Sequence, residues 1–195
     1  MKTPYKLAKT TKIERGASVA IGENTYIMDY CVLGIKNPWN ICKTKEQKII
    51  RIGKRCVIYP WSILYEGSEI RDDVRIFERS LVGSRSVIGS KSRLVYGSQV
   101  HDNVIIGSCT TIGGFISDNC KIGNNCFIYG SLIHRHDNRD HGKWDEIDEI
   151  GPTIEDNVFV GWGAIIVGNI KIGKGAEIKP CAFVTKDVAA GKRYG

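Results

Sequence analysis

The 195 residues predict an all-β chain wound as a solenoid, with two loops projecting from it. Three observations carry that expectation. From Ile52 to Ile112 an aliphatic residue returns at every sixth position without a miss: Ile52, Ile58, Leu64, Ile70, Ile76, Val82, Ile88, Leu94, Val100, Ile106 and Ile112. Glycine often follows it directly, as in Ile52-Gly53, Val82-Gly83, Ile88-Gly89, Ile106-Gly107 and Ile112-Gly113. Four positions after each aliphatic residue stands a small one, such as Cys56, Ser62, Ser68, Val74, Ser80, Ser86, Ser92, Ser98, Val104 or Thr110.

A period of six fits neither the 3.6 of a helix nor the alternation of a single strand. It fits a repeat in which six residues make one short strand and a turn, and three such units complete one turn of a triangular prism. The aliphatic side chain then points inward and stacks on the one a full coil later, while the small residue occupies a tight inner corner. Each buried Ile or Leu contributes roughly 1.5–3 kcal/mol, which offsets chain ordering only when many units stack. Stability becomes nearly a sum of nearest-neighbour terms.

Taken in order, residues 1–12 are polar and basic (Lys2, Lys6, Lys9, Lys12) and form an N-terminal arm, either loose or laid down as an edge strand. The repeat domain runs over 13–189. It starts imperfectly, with eight residues from Ile13 to Ile21, and then Ile21, Ile27 and Leu33 fall into step. A first insertion, about 35–50, carries Pro38, Trp39 and a run of lysines, and must leave the prism as a loop. After Ile112 the register slips by two, and Ile116, Ile122 and Ile128 continue at six. A second insertion, 131–153, holds three of the four histidines in a polar stretch from His134 to Trp144. Long loops on a rigid scaffold are where function tends to sit. Ile154, Val160, Ile166, Ile172, Ile178 and Val184 close the series, and 190–195 form a C-terminal tail.

Length and composition match one soluble globular domain. The net charge of +7 is either a solvated surface or a field that attracts an anion such as a phosphorylated small molecule. Aromatic and basic residues do not alternate along the sequence as a single-strand groove needs, which argues against nucleic acid as a partner. No apolar run is long enough to span a membrane and the N-terminus lacks a signal-peptide core, so a cytoplasmic location is expected. Seven cysteines are an odd number for a disulfide framework. Cys31, Cys56, Cys120 and Cys126 fall on the small corner position and read as buried, reduced thiols.

With these residues in place, the chain resembles the hexapeptide-repeat acyltransferases, whose fold is a left-handed parallel β-helix. The resemblance covers about 13–189. It is strongest in Ile154-Glu155-Asp156-Asn157-Val158-Phe159-Val160-Gly161, Ile172-Gly173-Lys174-Gly175-Ala176 and Phe183-Val184-Thr185-Lys186-Asp187-Val188. These stretches look like the acetyl-CoA-binding end of the branch with maltose, galactoside, serine, xenobiotic and polysaccharide O-acetyltransferases. The resemblance implies left-handedness, a homotrimer with active sites between prisms, and acetyl-CoA as co-substrate with no metal.

It also nominates residues. In the xenobiotic branch a catalytic histidine follows a strand of the form Phe-Val-x-x-x-x-x-His-Arg, and Phe127-Ile128 through His134-Arg135 has the same spacing. His134 is therefore the expected general base, removing the acceptor's proton, with His136 as runner-up. Gly161, Trp162, Gly163 and Pro180 fall beside the expected CoA arm, where Trp162 and Pro180 replace the family's small residues. Thr185 and Lys186 match its Thr-Lys pair, which meets the adenosine and phosphate end of CoA. Trp144 is a candidate platform for a sugar ring, or else part of a loop that clasps a neighbouring subunit. The expected reaction is acetyl transfer from acetyl-CoA to a hydroxyl or amine of a sugar or nucleotide-sugar acceptor. Two alternatives stand beside it: a γ-class carbonic anhydrase-like enzyme drawing on His101, His134, His136 and His141, and a non-catalytic β-helix scaffold.

Overall fold

The computed structural model describes residues 5–36, 49–135 and 150–195. These residues form a parallel β-solenoid of about 9 turns with no helix, consistent with a left-handed β-helix. Strands of two to four residues alternate among three sheets, so that each strand up to Phe183–Val184 pairs with those three places before and after it in the series. One sheet, the first face, contains β4 (Tyr26–Ile27), β7 (Val57–Ile58), β10 (Arg75–Ile76) and β13 (Arg93–Leu94). A second contains β17 (Phe115–Ile116), β20 (Ser131–Ile133), β23 (Ile165–Val167) and β26 (Phe183–Val184). The third runs from β3 (Val19–Ile21) to β24 (Lys171–Ile172).

The six-residue beat produces this shape through burial. Every aliphatic residue of the six-residue series from Ile52 to Ile112 is at most 3% exposed, and the small corner residues are at most 2% exposed. Registers put like on like: Ile58, Ile76, Leu94 and Ile112 stack in the first sheet. Val82, Val100, Ile116 and Leu132 stack in the second. The corner hydroxyls are not idle. Ser92 Oγ donates to the Gly107 carbonyl at 2.9 Å and accepts the Thr110 N–H at 3.0 Å. Thr110 Oγ1 in turn donates to the Gly123 carbonyl at 2.9 Å and accepts the Cys126 N–H at 3.1 Å. A small polar residue therefore spares the backbone of two coils from unsatisfied groups.

The register slip has a local cause. Between Ile112 and Ile116 the corner shrinks to Gly113-Gly114, and a Cβ on Gly114 would lie 2.0 Å from the Gly130 carbonyl oxygen. Glycine alone fits so tight a corner. The next coil repeats the device at Tyr129-Gly130. Both insertions spring from intact strands: β5 (Val32–Ile35) and β6 (Ile50–Ile52) flank the first. Ser131–Ile133 stay in the second sheet, and an antiparallel bridge, Arg135 to Ile150, closes the base of the second insertion. Lys6–Leu7 form β1, an edge strand on β4, and Arg193–Tyr194 form a strand on β25 (Glu177–Ile178). Cys31, Cys56, Cys120 and Cys126 are free and buried.

Candidate active site

His134 leaves the second sheet directly after β20. Its backbone N–H donates to Ser117 Oγ at 2.6 Å, which pins the start of the excursion to the coil before it. Its Nδ1 lies 3.7 Å from Asp118 Oδ2, with both side chains partly buried. At that separation the pair is a charge contact more than a hydrogen bond. Asp118 is itself held: its Oδ1 accepts the Asp102 N–H at 2.8 Å, and Asp102 Oδ1 accepts the Ser84 N–H at 2.8 Å. A carboxylate facing Nδ1 favours the tautomer with its proton there and leaves Nε2 able to accept one.

Asp118 escapes a linear reading of the sequence. It stands sixteen residues before His134, one coil back and at the same step of the repeat. Ile116-Ser117-Asp118 answers Val100-His101-Asp102 in the preceding coil. Folding the hexapeptides into threes brings Asp102, Asp118 and His134 to one corner, and that operation is the signal that could have found the aspartate.

The remaining expected residues divide into two groups on the second sheet. Leu132 pairs with Ile166 and Ile166 with Val184. Continuing that register sets His134, Gly168 and Lys186 level in three successive coils, with His134 and Lys186 roughly 10 Å apart by strand spacing. Gly168 confirms the alignment, its N–H donating to the Ile133 carbonyl at 3.0 Å. The Arg135 side chain crosses Gly168, with Cδ 3.9 Å from where its Cβ would be. Thr185 and Lys186 are exposed just past β26.

Gly161, Trp162, Gly163 and Pro180 lie instead at the opposite edge of that face, before β23 and β26. Gly161 is required by close approach: a Cβ there would sit 2.5 Å from the Pro180 nitrogen. Gly163 takes φ +72°, and the Trp162 carbonyl accepts the Cys181 N–H at 3.0 Å. The Trp162 ring is 68% exposed and tilts against Tyr129 with centroids 6.2 Å apart. The structure thus brings His134 and the Thr185-Lys186 pair to one corner and leaves Trp162 and Pro180 at the other.

His136, Trp144 and His141 lie outside the described residues. His101 lies on the second sheet's corner, its ring tilted against Phe115 at 4.7 Å. Among the described residues no three His, Cys, Asp or Glu side chains gather as a metal-binding group. Nor is any helix among them long and apolar enough to cross a membrane.

Comparison with known proteins follows the same lines. The model described as bacterial transferase hexapeptide (six repeats) matches residues 151–186, and that of the hexapeptide repeat of succinyl-transferase matches 100–129. The chain is similar, over those segments, to hexapeptide-repeat transferases. Among particular relatives, the serine acetyltransferase of Bacillus licheniformis is 31% identical over 101 residues, covering 50% of this chain and 44% of that one. The bifunctional protein GlmU of Pelobacter propionicus is 30% identical over 190 residues, covering 93% of this chain and 38% of that one. The chain spans less than half the length of these two relatives. A solved UDP-N-acetylglucosamine acyltransferase from Campylobacter jejuni shares the fold, with a TM-score of 0.54 at 17% identity over 94% of this chain and 68% of that one.

Proposed function

We propose that this chain is an acyltransferase of the hexapeptide-repeat family that moves the acetyl group of acetyl-CoA to a hydroxyl or amine of a sugar or nucleotide-sugar acceptor. It works in the cytoplasm as a homotrimer. The observation that carries the reading is the imidazole of His134 set against the Asp118 carboxylate at 3.7 Å, at the corner that also bears Thr185 and Lys186. Likeness to an acetyltransferase and to an N-acetylglucosamine-related protein supports the acetyl donor and the sugar class of acceptor.

In this mechanism His134 Nε2 takes the acceptor's proton as the acceptor oxygen or nitrogen bonds to the thioester carbonyl carbon. Asp118 holds the ring in orientation and balances the imidazolium that results, without taking the proton itself. As the carbon–sulfur bond breaks, His134 returns the proton to the departing thiolate. Lys186 supplies a cation for a phosphate of CoA, and Thr185 a hydroxyl and backbone groups beside it. Gly161 lets the neighbouring coil pack closely and Gly163 supplies the left-handed turn where the CoA arm would run, and the exposed Trp162 offers a flat apolar wall there. His136 and Trp144 belong to the same proposal as the runner-up base and the sugar platform.

A thiol-release assay with acetyl-CoA against sugars, amino sugars, nucleotide sugars and serine tests this directly. Release that depends on a sugar-type acceptor is expected. Release with serine alone would move the acceptor class, and release with none of the panel would favour the non-catalytic scaffold.

A further inference from the structure

The first face carries a feature far from His134 in the chain that the proposed chemistry does not use. Over four consecutive coils, β4, β7, β10 and β13, aromatic side chains stack along the prism. Tyr59 and Phe77 lie parallel with centroids 4.8 Å apart, and Tyr96 meets Phe77 at 5.2 Å with its ring tilted by 58°. At the adjoining corner Tyr30 stacks on Trp61 at 5.7 Å, and the Arg79 guanidinium sits 5.8 Å over the Trp61 ring. Tyr30, Trp61 and Tyr96 are 54%, 51% and 71% exposed. Beside them Arg75 and Arg93, both exposed, face each other as direct register partners.

Like charges in that position repel. The described ion pairs engage Arg55, Arg71 and Arg193, whereas Arg75, Arg79 and Arg93 have no carboxylate partner among the described residues. Aromatic and basic residues that do not alternate along the sequence are thus interleaved in space, because residues eighteen apart become neighbours.

We infer that this ridge binds an anionic oligosaccharide laid along the prism axis, with its acid groups between Arg75, Arg79 and Arg93 and its rings against Tyr30 and Tyr96. Three physical points select that ligand. An anion set between the two arginines offsets their repulsion, and the chain's +7 charge adds to the attraction. The groups recur with the coil spacing of roughly 4.8 Å, and a pyranose unit advances along its chain by about one such step. The inner rings cover one another's faces, with Tyr59 and Phe77 only 7° from parallel, so nucleobases find no open slot between them. Open ring faces remain at the two ends, where the apolar face of a sugar can rest, and the phenol hydroxyls along the edge can bond to sugar hydroxyls.

Isothermal titration calorimetry at low salt tests the inference with four probes: an oligogalacturonate, a dextran oligomer of equal length, a polyglutamate peptide and an oligo-dT. Oligogalacturonate should bind best, and more weakly as salt rises. The double variant Arg75→Gln/Arg93→Gln should weaken it by at least ~10-fold and Tyr96→Ala by ~5-fold, with thermal midpoints near wild type. His134→Ala should bind it as wild type does, which separates this site from the proposed transferase centre. Equal binding of dextran overturns the inference, as does a double variant with wild-type affinity. Tighter binding of polyglutamate or oligo-dT reassigns the ridge to an acidic protein or to nucleic acid. A change in sedimenting mass in the variants, without a change in affinity, makes it a contact between copies.

Discussion

A methyl group added at Gly89 would sit 2.4 Å from the carbonyl carbon of Gly107 in the next coil. Gly89→Ala therefore forces two coils apart and should cost about 1–3 kcal/mol, read as a lower midpoint in urea unfolding. Gly97 is the contrasting case, because nothing lies within 4 Å of its missing Cβ and only its φ of +71° marks it. Asn24, Asn103, Asn119, Asn125 and Asn157 hold the equivalent turn position at φ 55–59°. Gly97→Asn should accordingly change stability by less than about 0.5 kcal/mol. A glycine directly after an aliphatic residue is visible in the sequence, yet its reason, close approach of the next backbone, appears only once coils are stacked. The left-handed turn residue was not legible, since Trp61, Arg79 and Lys91 fill it as well as glycine does. Burial pushes the Cys120 thiol up from 9.0 to about 12. In the unfolded chain that thiol ionises near 9, so its contribution is whole below pH 9 and is lost as pH rises toward 12. Unfolding midpoints between pH 8 and 10.5 should fall more steeply for wild type than for Cys120→Ala, by up to about 1.4 kcal/mol per pH unit. Equal slopes would contradict this.

The unit that matters at the next scale is the coil, three short strands on three faces that, among the described residues, pair only with strands of the adjacent coils. Leu94 is fully buried between Ile76 and Ile112 in the first sheet. Leu94→Ala should cost about 2–5 kcal/mol. Hydrogen exchange should show protection lost in the coils of β10 and β13 and kept near β26, as a one-dimensional stack requires. Uniform loss along the whole prism would contradict that picture. Strand positions from Val19 to Val184 were legible because they coincide with an aliphatic beat, whereas the strand Arg193–Tyr194 lies in the segment expected as a tail. Corner lengths were less so: the two-residue slip after Ile112 was visible as a number, and its cause, glycines 114 and 130 facing one another across coils, was not. The same blindness hid Asp118, which belongs to His134 only after the chain has turned once.

As a whole molecule, the prism turns separations in sequence into neighbours at a fixed pitch, and both proposed sites follow from that conversion. His134 could be nominated from a strand-to-histidine spacing. Its carboxylate partner, the division of the expected CoA residues between two corners, and the aromatic ridge could not, because each depends on which residues share a column. The central claim is that the imidazole at the second-sheet corner moves the acceptor's proton. The most direct test is steady-state kinetics of His134→Ala with acetyl-CoA and the best acceptor from the thiol-release panel, alongside CoA affinity measured by titration. The account predicts kcat lower by at least ~10²-fold with CoA affinity little changed. A variant that turns over at the wild-type rate would contradict it.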